Sequence, residues 1–368
     1  MARSRRGHKY VSGLLTFGLV LLLLLVAVSV GAMLSYSYVK RVQENFKNPK
    51  EIVIPASERM YIDIPRGSRT GDIADILEEN GLIKYAQVFK ILSKINGYDG
   101  SYKSGTHIVS KDLNYEELMM VLKGNPEILR LTFPEGMNAR QFYQSFSDSA
   151  LTHGKELKQY IEAADTEFDY AFLAELPARP DRLEGYLFPD TYDFDLNATP
   201  KQIIAMFLDN FERKLTEEHY ARADEIGLTM DQVIILASII EREAKSEADR
   251  FLVSGVFHNR LNSADEGMRR LQSCATIQYV YYQRNGIMLR RISDGNTKIV
   301  DPYNTYLHAG LPPGPISNPG ISSINAALYP EETDYLYFVA RGDGTHVFSR
   351  TYEEHQAAIL EYGLNLLP

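Results

Sequence analysis

The chain has 368 residues, 45% of them hydrophobic and 24% charged, enough length and apolar content for two or three domains with their own cores, which excludes a wholly disordered protein. Its net charge of −9 lacks the basic footprint that phosphate binding needs and argues against nucleic acid as a main partner. The single cysteine, Cys274, excludes an internal disulfide framework and a multi-cysteine metal site.

Chain order begins with a short basic tail, residues 1–10, followed by an uncharged stretch from Val11 to Val39. Its densest part, Leu14 to Leu34, spans about 31 Å as a helix, the thickness of a bilayer core. Residues 11–39 are therefore predicted to be a transmembrane helix, with Tyr10 on one side and Tyr36 and Tyr38 on the other at interfacial positions. Val30-Gly31-Ala32 resembles a cleavage site, but the apolar region of a signal peptide is only roughly 7 to 15 residues long. Basic residues are nearly balanced across the segment: Arg3, Arg5, Arg6 and Lys9 before it, Lys40, Arg41, Lys47 and Lys50 after it. The short tail ahead of a large domain favours a cytoplasmic N-terminus with the domain exported.

Residues 40–58, with Pro49 and Pro55, read as a linker. Tyr61 to Ile64 alternates like a strand, enters a Pro-x-Gly turn, and continues into a helix that places Ile73, Ile76 and Leu77 on one face before Asn80-Gly81. The same grammar recurs 69 residues later, where Pro134 and Gly136 align with Pro65 and Gly67, and Phe142 and Phe146 with Ile73 and Leu77. Two related units and two independent strand-to-helix turns fit this pattern equally. Between them lie a strand in GTHIVS, a helix from Asn114 or Glu116, and a Gly-Asn-Pro stop. From about residue 200 the pattern is mainly helical. The last third holds a Pro/Gly-rich loop from Asp301 to Gly320, then a strand pair around Arg341-Gly342-Asp343-Gly344. A loop of that length is read as a functional rim in preference to a linker, with Tyr303, Asn304, Tyr306 and His308 as its candidate side chains.

The segment VIILASIIERE drives an apolar helix into two acids. On a helical wheel Val233, Leu236, Ala237, Ile240 and Ala244 form a stripe with Glu241 and Glu243 on its opposite shoulders, about 200° apart. A carboxyl beside apolar walls keeps its proton to higher pH, as a general acid requires; glutamates at the polar edge of a helix are also ordinary solvated residues. Ser238 reads as a hydroxyl satisfied within the helix. LEGYLFPDTYDF sets acids among Tyr186, Phe188, Tyr192 and Phe194, which suits stacking on sugar rings or a packed turn. No H-E-x-x-H, G-x-S-x-G or Walker loop is present, and no metal or cofactor is expected.

Six strings in order, LEGYLFPDTY, LASIIEREA, VFHNRL, GMRRLQSCATIQY, PYNTYLHAGLPPGPISNPG and YLYFVARGDGTHVFSRTYEEH, resemble the endolytic murein transglycosylase family, also called YceG-like, over about residues 60 to 360. The resemblance implies an α+β protein: a transmembrane helix, a small LysM-like subdomain at 59–130, and a mainly helical YceG-like catalytic domain at 131–368 with short strands and a Pro-rich loop. It implies a bacterial inner-membrane location with the catalytic domain extracytoplasmic, and Glu241, first acid of the family's I-[IV]-E-x-E motif, as the catalytic residue. Expected glycan-binding residues are Gln272, Ser273, Thr276, Asn259, Tyr303, Asn304, Thr305, Glu184 and Tyr186. The family commonly has L-Q-S/T-D-P-T, whereas this chain has Leu271-Gln272-Ser273-Cys274-Ala275-Thr276, losing an acid and a proline.

The function so implied is cleavage inside nascent peptidoglycan strands at the bond from N-acetylmuramic acid to N-acetylglucosamine. One carboxyl acts first as acid and then as base on the muramic C6 hydroxyl, leaving anhydromuramic ends that would terminate glycan elongation. Peptidoglycan strands are the expected partner, and peptidoglycan synthases or division proteins are admitted as others. The rival readings are a non-catalytic anchored module that binds glycan or division proteins, and a hydrolase pairing Glu241 with Asp190. Asn304→Ala is expected to weaken cleavage while sparing thermal stability.

Overall fold

The computed structural model describes residues 5–47, 52–147, 154–162, 168–289 and 291–362. Residues 1–4 of the predicted tail and 48–51 of the predicted linker lie outside them. The chain divides into two compact units, Met1–Glu127 and Ile128–Pro368.

The first unit opens with α1, Arg5–Lys47. Within it Phe17–Tyr38 is long and apolar enough to cross a membrane, with a mean hydropathy of 2.8 and no part of that window buried by protein. The helix runs through residues 40–47, where the sequence suggested a linker. No proline or glycine interrupts that stretch, and Pro49 follows its end. Beyond it come β1 (Met60–Ile64), α2 (Thr70–Glu79), α3 (Ala86–Ile95), β2 (Gly105–Val109) and α4 (Tyr115–Lys123). β1 and β2 pair antiparallel, Ile62 opposite His107. Alternation in β1 turns Ile62 and Ile64 inward and Tyr61 and Asp63 outward, so the strand meets Ile73, Leu77, Phe89, Leu118 and Leu122 from the helices in one small core. Asn114 caps α4 by accepting from the Glu116 and Glu117 amides while Glu117 returns a bond to the Asn114 amide.

The second unit holds β3 (Ile128–Thr132), α5 (Ala139–Ser147), α6 (Gly154–Glu162), α7 (Ala171–Ala174), β4 (Thr191–Asp195), α8 (Pro200–Lys214), α9 (Glu217–Glu225), α10 (Met230–Glu243), α11 (Glu247–Leu261), α12 (Cys274–Asn285), α13 (Ile321–Leu328), β5 (Tyr337–Ala340), β6 (His346–Ser349) and α14 (Tyr352–Tyr362). β3 pairs with β4 and β5 with β6, both antiparallel, so the fold is α+β and predominantly helical. The two strand-turn-helix segments keep the register read from sequence, and both turns pass through a left-handed glycine, Gly67 at φ 82° and Gly136 at φ 78°. Phe133, Phe142, Phe146, Phe194 and Phe207 pack as an aromatic cluster, with the Phe133 and Phe142 centroids 4.1 Å apart.

α10 is the axis of this unit. A single stripe was expected, yet Val233 through Ile240 are all buried, because α9, α11, α12 and α13 pack around it. A helix apolar on every side can only sit in a core. The loop before α13 is equally interior: Ile316, Ser317 and Asn318 are buried. Having no helix or sheet of their own, these residues satisfy their polar groups on neighbours. The Ile316 amide donates to Ser238 Oγ, and Asn318 Oδ1 accepts from the Gly185 and Leu187 amides. Ser238 Oγ in turn donates to the Ile235 carbonyl, as a helix-satisfied hydroxyl should.

Candidate active site

Glu241 stands in the last turn of α10, just before the helix ends at Ala244. Its side chain is only 6% exposed, but its surroundings are not the apolar walls that the sequence suggested. Three donors converge on the carboxylate. The Gly320 amide and Ser323 Oγ, at the start of α13, donate to Oε2 at 3.1 and 2.7 Å, and Arg250 of α11 reaches Oε1 with Nη2 at 3.3 Å. The N-terminal dipole of α13 adds to this positive surround.

The turn carrying Glu135 and Gly136 closes over the same spot. The Gly136 amide donates to the Asn318 carbonyl, and Arg242 Nη1 donates to the Gly136 carbonyl. A Cβ on Gly136 would lie 3.5 Å from Glu241 Cγ. Glu135 is 46% exposed, and its Oε2 is 3.8 Å from the Arg250 Nη2 that also binds Glu241. Its carboxyl rests on Gly320 so closely that a Cβ there would collide with it. Burial, and then the neighbouring charge of Glu241, push the Glu135 carboxyl above the usual carboxylate range, with Arg250 opposing. Arg250 Nε is buried with no hydrogen-bond partner in the protein.

The other shoulder of α10 has a different use. Glu243 accepts from Ser273 Oγ and from the Ala275 amide, which makes it the anionic partner at the N-terminus of α12. An acid thus stands at that helix start, which opens on Cys274. The Cys274 thiol lies 3.2 Å from Tyr306 Oη, and burial, then the charge of Glu243, push its pKa up.

None of the expected glycan-binding residues hydrogen-bonds Glu241 among the described contacts. Thr276 and Thr305 are buried and share a hydroxyl contact at 3.0 Å, and Thr305 Oγ1 accepts from the Ser273 amide. Gln272 is exposed, but its Oε1 accepts from Arg260. Asn259 donates to the Thr333 and Tyr335 carbonyls beside a cavity of about 570 Å³. Tyr303 packs on Tyr279 with centroids 5.2 Å apart. Glu184 is buried, with both carboxylate oxygens 3.0 Å from the Ala139 amide. Burial drives its pKa well up, partly offset by that amide. Tyr186 is also buried, and its hydroxyl donates to Asp231. Glu184, Tyr186, Thr276, Asn304 and Thr305 therefore brace the framework rather than line an open surface.

Asn304 has a full set of partners within the protein. It is fully buried, donates to the Thr297 and Ile299 carbonyls at 2.9 and 2.7 Å, and accepts from the Tyr306 amide. Asn304→Ala leaves those groups unpaired at a cost of about 1–3 kcal/mol, so the expected result is a clearly lowered melting temperature. An unchanged melt together with lost cleavage would restore the sequence-based expectation. Glu135, Arg250, Gly320 and Ser323 were not singled out from sequence. The available signal was the Pro-Glu-Gly turn, which sits directly ahead of a helix. Among the described residues, no group of three or more His, Cys, Asp or Glu side chains is placed to hold a metal ion.

Residues 62–361 match the YceG-like family. The chain belongs to that family. Endolytic murein transglycosylase from Bacillus subtilis is 30% identical to it over 82% of this chain and 84% of its own length. The Streptococcus pneumoniae D39 protein of the same name is 29% identical over 94% of this chain, which spans 65% of that longer relative. A crystal structure of a yceG-like protein from Listeria monocytogenes aligns with a TM-score of 0.54 at 30% identity, covering 82% of this chain and 99% of that one. The YceG-like match takes in Glu135, Glu241, Arg250 and Ser323 together.

Proposed function

We propose that this YceG-like protein is a lytic transglycosylase that cuts within murein glycan strands. The observation that carries the reading is Glu241, a nearly buried carboxylate at the end of a rigid core helix, held by donors from α11 and α13. Lytic cleavage needs a proton delivered to the glycosidic oxygen and another removed from the muramic C6 hydroxyl, which then closes onto C1. No water is consumed, so a water-activating carboxylate of the hydrolase kind is not required. Asp190 fits such a hydrolytic role poorly. It accepts from the Thr191 amide at 2.8 Å and from Asn210 at 3.1 Å, and the Thr191 amide foremost lowers its pKa. α1 is the anchor in this reading, with the N-terminus cytoplasmic and residues 128–368 exported, and the unit ending at Glu127, with a core of its own, is the LysM-like module.

Full-length protein in detergent, incubated with purified peptidoglycan, is expected to release products with anhydromuramic ends detected by mass spectrometry. Reducing ends would mean hydrolysis. Binding without any new ends would mean a non-catalytic glycan-holding module.

A further inference from the structure

The reading above assigns both proton transfers to Glu241, but the geometry points to a division of labour. We propose that Glu135 is a second catalytic carboxyl, the general acid for the glycosidic oxygen, and that Glu241 serves as the base for the C6 hydroxyl. This inference rests on the lytic reading and refines it.

Three observations carry it. Every hydrogen bond to Glu241 comes from a donor, the Gly320 amide, Ser323 Oγ and Arg250, and a carboxylate so held keeps its oxygens as acceptors, the form in which a base starts. Glu135 faces the same Arg250 nitrogen, at 3.8 Å, and among the described residues no hydrogen bond reaches its carboxyl. It is the open member of the pair, 46% exposed against 6% for Glu241. Finally, the Glu135 side chain is seated by shape, over a Gly320 that has no Cβ to displace it and beside a Gly136 that the left-handed turn requires.

The charged groups around Glu135 are Glu241 from α10, Arg242 from the same helix through the Gly136 carbonyl, and Arg250 from α11; α13 contributes backbone. Burial and the Glu241 charge raise the Glu135 pKa, which is the direction an acid needs. The two carboxyls differ in exposure and in hydrogen-bond partners, which suits them to different halves of the proton traffic. In the reaction, Glu135 gives its proton to the glycosidic oxygen as the bond from that oxygen to muramic C1 breaks. Glu241 takes the C6 hydroxyl proton as the C6 oxygen bonds to C1. Glu135 ends charged and Glu241 protonated, and the pair resets by proton exchange through solvent, to which Glu135 is open.

The test uses full-length protein and two substrates: murein strands, and a short glycan whose terminal N-acetylmuramic acid carries nitrophenolate at C1. Nitrophenolate leaves without being protonated, so it removes the need for an acid but not for a base. Glu135→Gln should lower kcat on murein by about 10²-fold or more with little change in KM, lose the fall in rate at high pH, and recover to within about tenfold of wild type on the nitrophenyl substrate. Glu241→Gln should fail on both. Glu135→Gln at near wild-type rate on murein overturns the proposal, and so does an equal loss on both substrates, which would mark a positioning role. Reducing ends from the wild-type protein would overturn the lytic reading itself, and this assignment with it.

Discussion

Glu241→Gln is expected to abolish murein cleavage, with a loss of at least about 10²- to 10⁴-fold in kcat. The amide is isosteric with the carboxyl but can neither take nor give a proton near neutral pH. Its oxygen can still accept from the Gly320 amide and Ser323 Oγ, both of which bind Oε2. The fold should therefore survive, and a melt alongside the turnover assay checks this. Glu243→Gln should behave differently. Its partners are Ser273 Oγ and the Ala275 amide, so weakening it loosens the start of α12 and shows first in stability. Activity retained by Glu241→Gln and lost by Glu243→Gln would place the chemistry on the other shoulder of α10.

The second large effect is on stability. Arg179 and Asp231 form an ion pair with 2.7 Å between Nη2 and Oδ1, and their side chains are 3% and 14% exposed. Arg179 Nη1 also donates to Asp231 Oδ2 and to the Pro313 carbonyl, and Tyr186 Oη donates to Asp231 Oδ1. One carboxylate thus ties the segment before β4, the first turn of α10 and the Pro-rich loop together. Asp231→Ala leaves a buried guanidinium without its counter-charge, a loss of about 3–5 kcal/mol, which lowers the melting temperature by roughly 6 to 20 °C in a unit of this size. Tyr186→Phe removes one charge-assisted hydrogen bond and should cost about 1.5–3 kcal/mol. A melt of Asp231→Ala within a degree or two of wild type would show that the pair contributes nothing net.

What the sequence made legible was local. The apolar run of α1, the Pro-x-Gly turns leading into α2 and α5, Asn114 as the cap of α4, and the hairpin around Arg341-Gly342-Asp343-Gly344 all depend on contacts within a few residues. Glu241 was reached because it ends a recognisable apolar helix, and because six strings resembled one family. Its partners were not legible: Ser323 and Gly320 lie 82 and 79 residues away, and Glu135 precedes it by an equally unpatterned span. The partners of the Pro-rich loop are distant in sequence in the same way. Pro and Gly mark the absence of helix and strand but carry no information on burial. A segment without regular structure can be buried when its polar groups find partners on neighbouring elements, as the Ile316 amide does on Ser238 Oγ and Asn318 Oδ1 does on the Gly185 and Leu187 amides.

Glu241 at the end of α10 has a temporal consequence. Two of the three donors that hold it belong to the start of α13, which enters the chain some 80 residues after the carboxylate they bind. A polypeptide emerging from the ribosome presents α10 long before residues 320–323 exist, and any product truncated ahead of them carries Glu241 without its clamp. Such fragments should be inert towards glycan however well their earlier helices form. The clamp on Glu241 is thus among the later parts of the unit that the chain can complete.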